Sequence, residues 1–154
     1  MTKHYSSGQG LNAKLLTGIN KLADNVGSTL GPKGRNVILF HKEQNTPVIT
    51  KDGVTIAKFV EFEDPFENVG AQIVKQAAEQ SANNAGDGTT TTTVLARGII
   101  NRAQKYITAG VSPIELKRGM DATTTALTTK LKTISRPIQS EEDIKHVATI
   151  SANN

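Results

Sequence analysis

Gly86-Asp87-Gly88-Thr89-Thr90-Thr91-Thr92-Thr93 stands between two long amphipathic stretches, and its reading organises the rest of the chain. A carboxylate sits at a glycine-bracketed turn, and a file of hydroxyls follows it into the start of a helix. Threonine is a mediocre helix former, because its branched Cβ restricts χ1 and its hydroxyl competes for backbone bonds. Five in a row therefore cost helix stability, and another interaction should justify them. The first N–H groups of a helix lack internal partners, and the helix dipole adds about half a positive charge there. A phosphate satisfies both. Asp87 beside a phosphate would be repelled unless a divalent cation bridges them, and Mg²⁺ binds through one or two carboxylates plus phosphate oxygens. Asp87 as a plain N-cap, with the threonines as polar surface, accounts for the same residues.

Outward from this run the pattern is mostly helical. Upstream, Asp64-Pro65-Phe66-Glu67 is a strong helix start, with an N-cap acid, proline at the first helical position and glutamate at the third. Phe66, Val69, Ile73, Ala77 and Ala82 lie on one stripe of that helix before Asn83-Asn84-Ala85-Gly86 ends it. Downstream, a helix is expected from Thr89 to Ala109, with Gly110 at its C-terminal cap. Ser112-Pro113-Ile114-Glu115 reads as a capping box. It opens a helix with Leu116, Met120, Leu127, Leu131 and Ile134 on its buried face, broken by Arg136-Pro137. Ser140-Glu141-Glu142-Asp143 caps a last helix.

Nearer the N-terminus, Leu11, Leu15, Ile19, Leu22 and Val26 recur at the helical period, which predicts a helix from Leu11 to Leu30 stopped by Gly31-Pro32. Val37-Ile38-Leu39-Phe40 and Pro47-Val48-Ile49-Thr50 are β-prone runs on either side of a polar stretch. They predict a hairpin with a wide loop from His41 to Thr46. Val54 to Phe62 reads as a short helix closing in a strand.

Two further segments supply parts that match the threonine run. Thr29-Leu30-Gly31-Pro32-Lys33-Gly34-Arg35 runs from a helix terminus into a glycine-bracketed turn where backbone can approach a ligand closely. Thr50-Lys51-Asp52-Gly53 sets a cation and a carboxylate beside a tight turn. Lys51 could meet phosphate charge, and Asp52 could orient an attacking water. A basic surface turn and an exposed turn after a strand explain the two segments equally well when each is taken alone. Neither GxxxxGK followed by Ser or Thr nor GxGxxG occurs, so a nucleotide site here lies outside those two families.

Composition removes several classes. The chain has 154 residues, enough for one domain of ordinary size, with 4% aromatics and no Trp. It has no cysteine, so disulfides and thiolate metal sites are excluded and a reducing cytoplasmic setting fits. His4, His41 and His146 offer no zinc spacing. No apolar run approaches the roughly 18 residues of a membrane span, and the first residues form neither a signal core nor an Arg-rich presequence. The net charge of +4 is mild and lacks aromatic interleaving, which leaves nucleic-acid binding as a minor alternative.

In order, TLGPKGRNV from Thr29, ITKDGVT from Ile49, FENVGAQ from Phe66 and AGDGTTT from Ala85 resemble the start of the group I chaperonins, the GroEL type. The similarity runs from about Leu11 onward and includes Lys117-Arg118-Gly119-Met120-Asp121 and Ile150-Ser151-Ala152-Asn153. The resemblance implies a mainly α fold, with residues 1–135 as the first segment of an ATP-binding equatorial domain that carries a small hairpin. Residues 136–154 would begin a hinge-like intermediate domain. Carried over, Thr29, Leu30, Gly31 and Pro32 would form the loop over the phosphates of ATP, with Lys51 beside them. Asp87 would be the Mg²⁺ ligand, Gly88, Thr89, Thr90 and Thr91 the phosphate-cradling helix start, and Asp52 one of two aspartates that support hydrolysis. Backbone oxygens near Thr29 and Lys51 would face a K⁺ site, and Val37 to Thr50 would pair with a neighbouring subunit of a heptameric double ring.

Thr92 stands where the family more often has alanine, and Tyr5 to Gly10 matches poorly. The family's second catalytic aspartate, its adenosine-binding residues and the domain that meets unfolded proteins and a co-chaperonin would lie beyond Asn154. The chain therefore reads as a cut subunit that does not hydrolyse ATP alone, with exposed apolar helix faces. The alternative is a naturally short relative that binds nucleotide weakly or joins the rings of a full-length subunit.

Overall fold

Apolar residues at the helical period shape the first helix, α1 (Gly8–Gly27), in a computed structural model that describes residues 4–41 and 45–151. Ile19, Leu22 and Val26 are buried on it, and Leu11 and Leu15 are half-buried, as their spacing predicts. The helix starts earlier than expected and stops at Gly27 rather than Leu30. The apolar period ends with Val26, and the Ser28 and Thr29 hydroxyls donate to the Asn25 and Val26 carbonyls at 2.7 and 2.8 Å. Those bonds close the helix before the glycine is reached.

The hairpin follows. Strand β1 (Val37–His41) pairs antiparallel with β2 (Thr46–Thr50), setting Val37 opposite Thr50 and His41 opposite Thr46. Residues 42–44 of the expected wide loop lie outside the described residues, as do residues 1–3 and 152–154 at the two ends. Only Leu39 of the ten strand residues is buried. Helix α2 (Gly53–Phe59) comes next. The strand expected to close Val54–Phe62 does not form, because Val60 caps α2 and Val60–Phe62 then runs as irregular chain over the core.

Helix α3 (Pro65–Ala85) starts where its signal says, with the Asp64 carboxylate accepting from the Phe66 and Glu67 N–H groups at 2.8 and 3.2 Å. Its buried face corrects the expected stripe. Gly70, Ala71, Val74, Lys75 and Ala78 are buried, whereas Val69 and Ile73 are half exposed. The reason is close approach to α1. A Cβ on Gly70 would sit 2.2 Å from the Leu15 carbonyl oxygen, and one on Gly18 would sit 1.8 Å from that of Glu67. Two backbones this near select small residues, whatever the hydrophobicity of the flanking positions. Lys14–Asp64 and Lys21–Glu67 pairs, at 2.6 and 2.7 Å, border the same seam.

The core of this first unit joins Ile19, Leu22, Val26, Leu39, Ile56, Ala57, Ala71 and Val74. Burying a leucine or isoleucine fully is worth about 1.5–3 kcal/mol, so Leu22 and Ile56 are its main anchors. Lys75 is buried beside them, and its ammonium donates to the Val60 carbonyl. Burial pushes its pKa down, against the pull of Glu61 and Glu79.

Helix α4 (Thr89–Thr108) crosses from the first compact unit, Met1–Arg102, into the second, Ala103–Asn154. The second unit carries α5 (Pro113–Ile134) and α6 (Glu141–Ser151). Helix α5 does not bury its expected face: Leu127, Leu131 and Ile134 are 57–61% exposed. No described residue of the helix is buried. The exposed apolar helix faces that the sequence predicts are therefore present on α5. The Ser112 side chain makes no cap bond, so the expected box is incomplete. The helix starts on Pro113 and on a bond from the Leu116 N–H to the Ser112 carbonyl. Ser140 does cap α6, accepting from the Asp143 N–H at 3.1 Å. Among the described residues the architecture is thus mainly α, six helices and one two-stranded sheet, and no helix is long and apolar enough to cross a membrane.

Candidate functional site

Gly86 ends α3 in the left-handed region, at φ +71°, and Gly88 follows at φ +86°. Both conformations suit glycine, which lacks the Cβ that penalises them. Asp87 is held between them. Its carbonyl accepts from the Ser81 hydroxyl at 3.2 Å, and its Oδ1 accepts from the adjacent Gly88 N–H at 2.6 Å. Helix α4 then begins with the Thr92 N–H donating to the Gly88 carbonyl at 2.8 Å. The N-cap position therefore falls to Gly88 and not to Asp87. Among the described residues no side chain caps the N–H groups of Thr89, Thr90 and Thr91, and no acid lies in the first turn. The positive end of α4 stays open to an anion.

The threonine run divides. Thr89 and Thr93 are buried, and the Thr93 hydroxyl bonds the Thr89 carbonyl at 2.9 Å. These two pack α4 onto the first unit, so part of the run serves structure. Thr90 is half-buried and Thr91 is exposed.

Asp52 is the N-cap of α2, a role that the reading as a tight turn missed. Its Oδ1 accepts from the Val54 N–H at 3.2 Å. Its Oδ2 accepts from the Thr55 N–H at 3.0 Å and the Thr55 hydroxyl at 2.5 Å. Burial works against its charge, but those bonds and the nearby Lys58 hold its carboxyl below the ordinary value. Lys51, just before it, is exposed and enters no ion pair among the described residues.

The turn after α1 closes on itself. Leu30 N–H donates to Gly27, Gly34 N–H to Gly31 and Arg35 N–H to Ser28, at 2.9–3.0 Å. Leu30, Gly31 and Pro32 are exposed, and the Thr29 hydroxyl is spent on Val26. What this turn offers a ligand is backbone.

Helix packing within the first unit brings these pieces to one place. Asn101 donates to Asn20 at 2.8 Å, Arg97 pairs with Asp24, and a Cβ on Gly27 would stand 3.3 Å from Val94. Partner numbers fall on α4 as they rise on α1, so the two helices run antiparallel, and the C-terminus of α1 lies at the N-terminus of α4. Gly53 lies against both Thr90 and Val26. The Thr29–Pro32 turn, the Asp52 cap and the Gly88–Thr91 helix start therefore share one end of the α1–α4 pair. No direct contact of Lys51 or Asp87 with the turn is part of this arrangement.

Its chemistry suits a metal-bound polyphosphate. The N–H groups of Thr89, Thr90 and Thr91 carry no side-chain cap, and the helix dipole is positive at that end. The Asp87 Oδ2 accepts no bond among the described residues, which leaves it for a hard cation. No group of three His, Asp or Glu side chains gathers among the described residues, so a cation here would need oxygens from its ligand. A groove of about 730 Å³ between β1 and Lys58–Phe62 belongs to a different face. Sequence reading passed over Thr55, Ser81 and the pairs that join α1 to α4. Thr55 had a local signal, an acid three residues before it at a helix start. The pairs, 73 and 81 residues apart, had none. The model of the TCP-1/cpn60 chaperonin family matches residues 22–154, a span that takes in every candidate residue above.

Proposed function

The chain belongs to the TCP-1/cpn60 chaperonin family, and from that premise we propose that its first unit binds the phosphates of Mg·ATP at the N-terminus of α4. A chaperone role in protein folding goes with the family. ATP as the ligand, the group I type, an equatorial segment over residues 1–135, a hinge segment from 136, a cytoplasmic setting and a heptameric double ring are parts of this reading. The observation that carries it is the convergence of the Thr29–Pro32 turn, Asp52 and the uncapped start of α4.

Each residue has a task in this reading. The N–H groups of Thr89, Thr90 and Thr91 receive phosphate oxygens, with the Thr90 and Thr91 hydroxyls as further donors. Backbone of Leu30 and Gly31 covers the opposite side, and Lys51 adds positive charge. Asp87 would hold Mg²⁺, which supplies charge neutralisation between phosphate oxygens. Asp52, kept ionised by its cap bonds, would orient water through the one acceptor position that its three cap bonds leave. The hairpin, with Ile38 and Ile49 exposed on strands whose outer edges are open, offers itself to a neighbouring subunit.

A second reading, binding and ring membership without hydrolysis, draws on Asp52. Both of its oxygens are committed to α2, which leaves little capacity for a water. Phosphate-release assays separate the two readings, since only the first expects turnover.

Melting with Mg·ATP tests the site itself. Ligand at a hundredfold excess over Kd stabilises by about 2.7 kcal/mol. A rise in Tm is expected for the wild-type chain and none for Asp87→Ala. Equal shifts in both proteins would place ATP elsewhere.

A further inference from the structure

Gly53 is buried at the first position of α2, and nothing about α2 as a helix asks for glycine there. Its φ is not in the left-handed region. What selects it lies across the interface: a Cβ would fall 2.2 Å from the Thr90 hydroxyl oxygen, 3.3 Å from a Val26 methyl and 3.4 Å from the Thr90 Cβ. Only the hydroxyl is in true collision. The Thr90 Cβ and Val26 would remain near ordinary contact, so an alanine at 53 would leave the Thr90 backbone in place and evict its Oγ1.

Thr90, in the first turn of α4, has no helical carbonyl four residues behind it to take its hydroxyl. Thr93, Thr123, Thr124, Thr125, Thr129 and Thr149 turn their hydroxyls back onto the carbonyl four residues earlier. Among the described residues the Thr90 hydroxyl donates to no such carbonyl, which leaves its proton available. Threonine in a helix divides between two χ1 wells. The bare face of Gly53 is what lets Oγ1 occupy this one.

We propose that Gly53 is a positioning residue: by lacking a side chain it keeps the Thr90 hydroxyl in the rotamer that serves a phosphate at the start of α4. The inference rests on the reading of Thr90 as part of the Mg·ATP site. It links the Asp52 cap to the α4 entrance through one contact between residues 37 positions apart in sequence.

The test uses the full chain with Gly53→Ala, Thr90→Ala and the double variant. The Thr90 χ1 couplings, measured by NMR without ligand, should show one rotamer in the wild type and a different one in Gly53→Ala. Mg·ATP affinity, read from ligand-dependent melting, should fall about tenfold or more in each single variant, the scale of one lost hydrogen bond to a charged group. The double variant should lose no more than Thr90→Ala alone. An unchanged Thr90 rotamer, or full affinity in Gly53→Ala, would overturn the proposal. If Gly53→Ala does not fold, the double variant should, because the colliding atom is gone; failure of both would also overturn it. No Mg·ATP response in the wild type would sink the phosphate reading, while the rotamer comparison would still decide the contact.

Discussion

Asp52 serves two masters at the residue scale, since the carboxylate that the family resemblance casts in hydrolysis is the one that caps α2. Losing an N-cap acid to alanine costs about 1 kcal/mol, and asparagine caps nearly as well. We therefore expect Asp52→Ala to lower the urea midpoint and Asp52→Asn to leave it almost unchanged. Any phosphate release by the chain should be lost in both. Acid tests the same bonds. Asp52, Asp64 and Asp143 titrate below the usual 3.8 in the folded chain. The causes are opposing burial against the Thr55 and Val54 bonds for Asp52, the Lys14 bond first for Asp64 and the Gln139 N–H first for Asp143. A lowered folded pKa stabilises above the unfolded value and is lost as pH falls through the folded one. The midpoint should stay level from pH 7 to about 5 and fall progressively below that. Of the candidate site, Asp87 and the threonines stood out in the sequence because glycine-bracketed acids and threonine-rich helix starts are unusual by themselves. That Thr89 and Thr93 are packing residues was not legible, since burial depends on what lies across the helix.

Each helix announced itself, but a helix has several faces and its neighbour chooses among them. The caps Asp64, Pro113 and Ser140 and the stop at Gly110 set element boundaries through local bonds. The buried face of α3 did not follow its larger apolar residues, because α1 approaches closely enough at Gly18 and Gly70 to exclude any side chain there. Gly18→Ala should cost about 1–3 kcal/mol, the usual range for overpacking, and more if the helices cannot separate. Gly98, inside α4 with nothing within 4 Å of a Cβ, is the control. Gly98→Ala should be neutral or stabilising by up to about 1 kcal/mol, since alanine is the better helix former. Comparable losses at both sites in urea unfolding would refute the close-approach account.

At the scale of the whole molecule, Met1–Arg102 owns a core and the candidate site, whereas Ala103–Asn154 contributes no buried residue among those described. Amide exchange should accordingly be slowest in α1, α3 and the first half of α4, and fast throughout α5 and α6. Ile114, Leu127, Leu131 and Ile134 on α5, with Ile144 and Ile150 on α6, leave much apolar surface in water. Sedimentation should show self-association that grows with concentration; a compact monomer at every concentration would contradict that. The sequence by itself determined the mainly helical class, most element boundaries and the hairpin, and it singled out the residues proposed to meet phosphate. Each of these rests on local physics: periodicity, capping bonds and the conformational range of glycine and proline. Only the tertiary structure decided which faces are buried, that Asp52 caps α2, and that Gly53 touches Thr90 beside the end of α1. Those outcomes depend on helices meeting across tens of residues, and the distance between two backbones is written in no single stretch of chain.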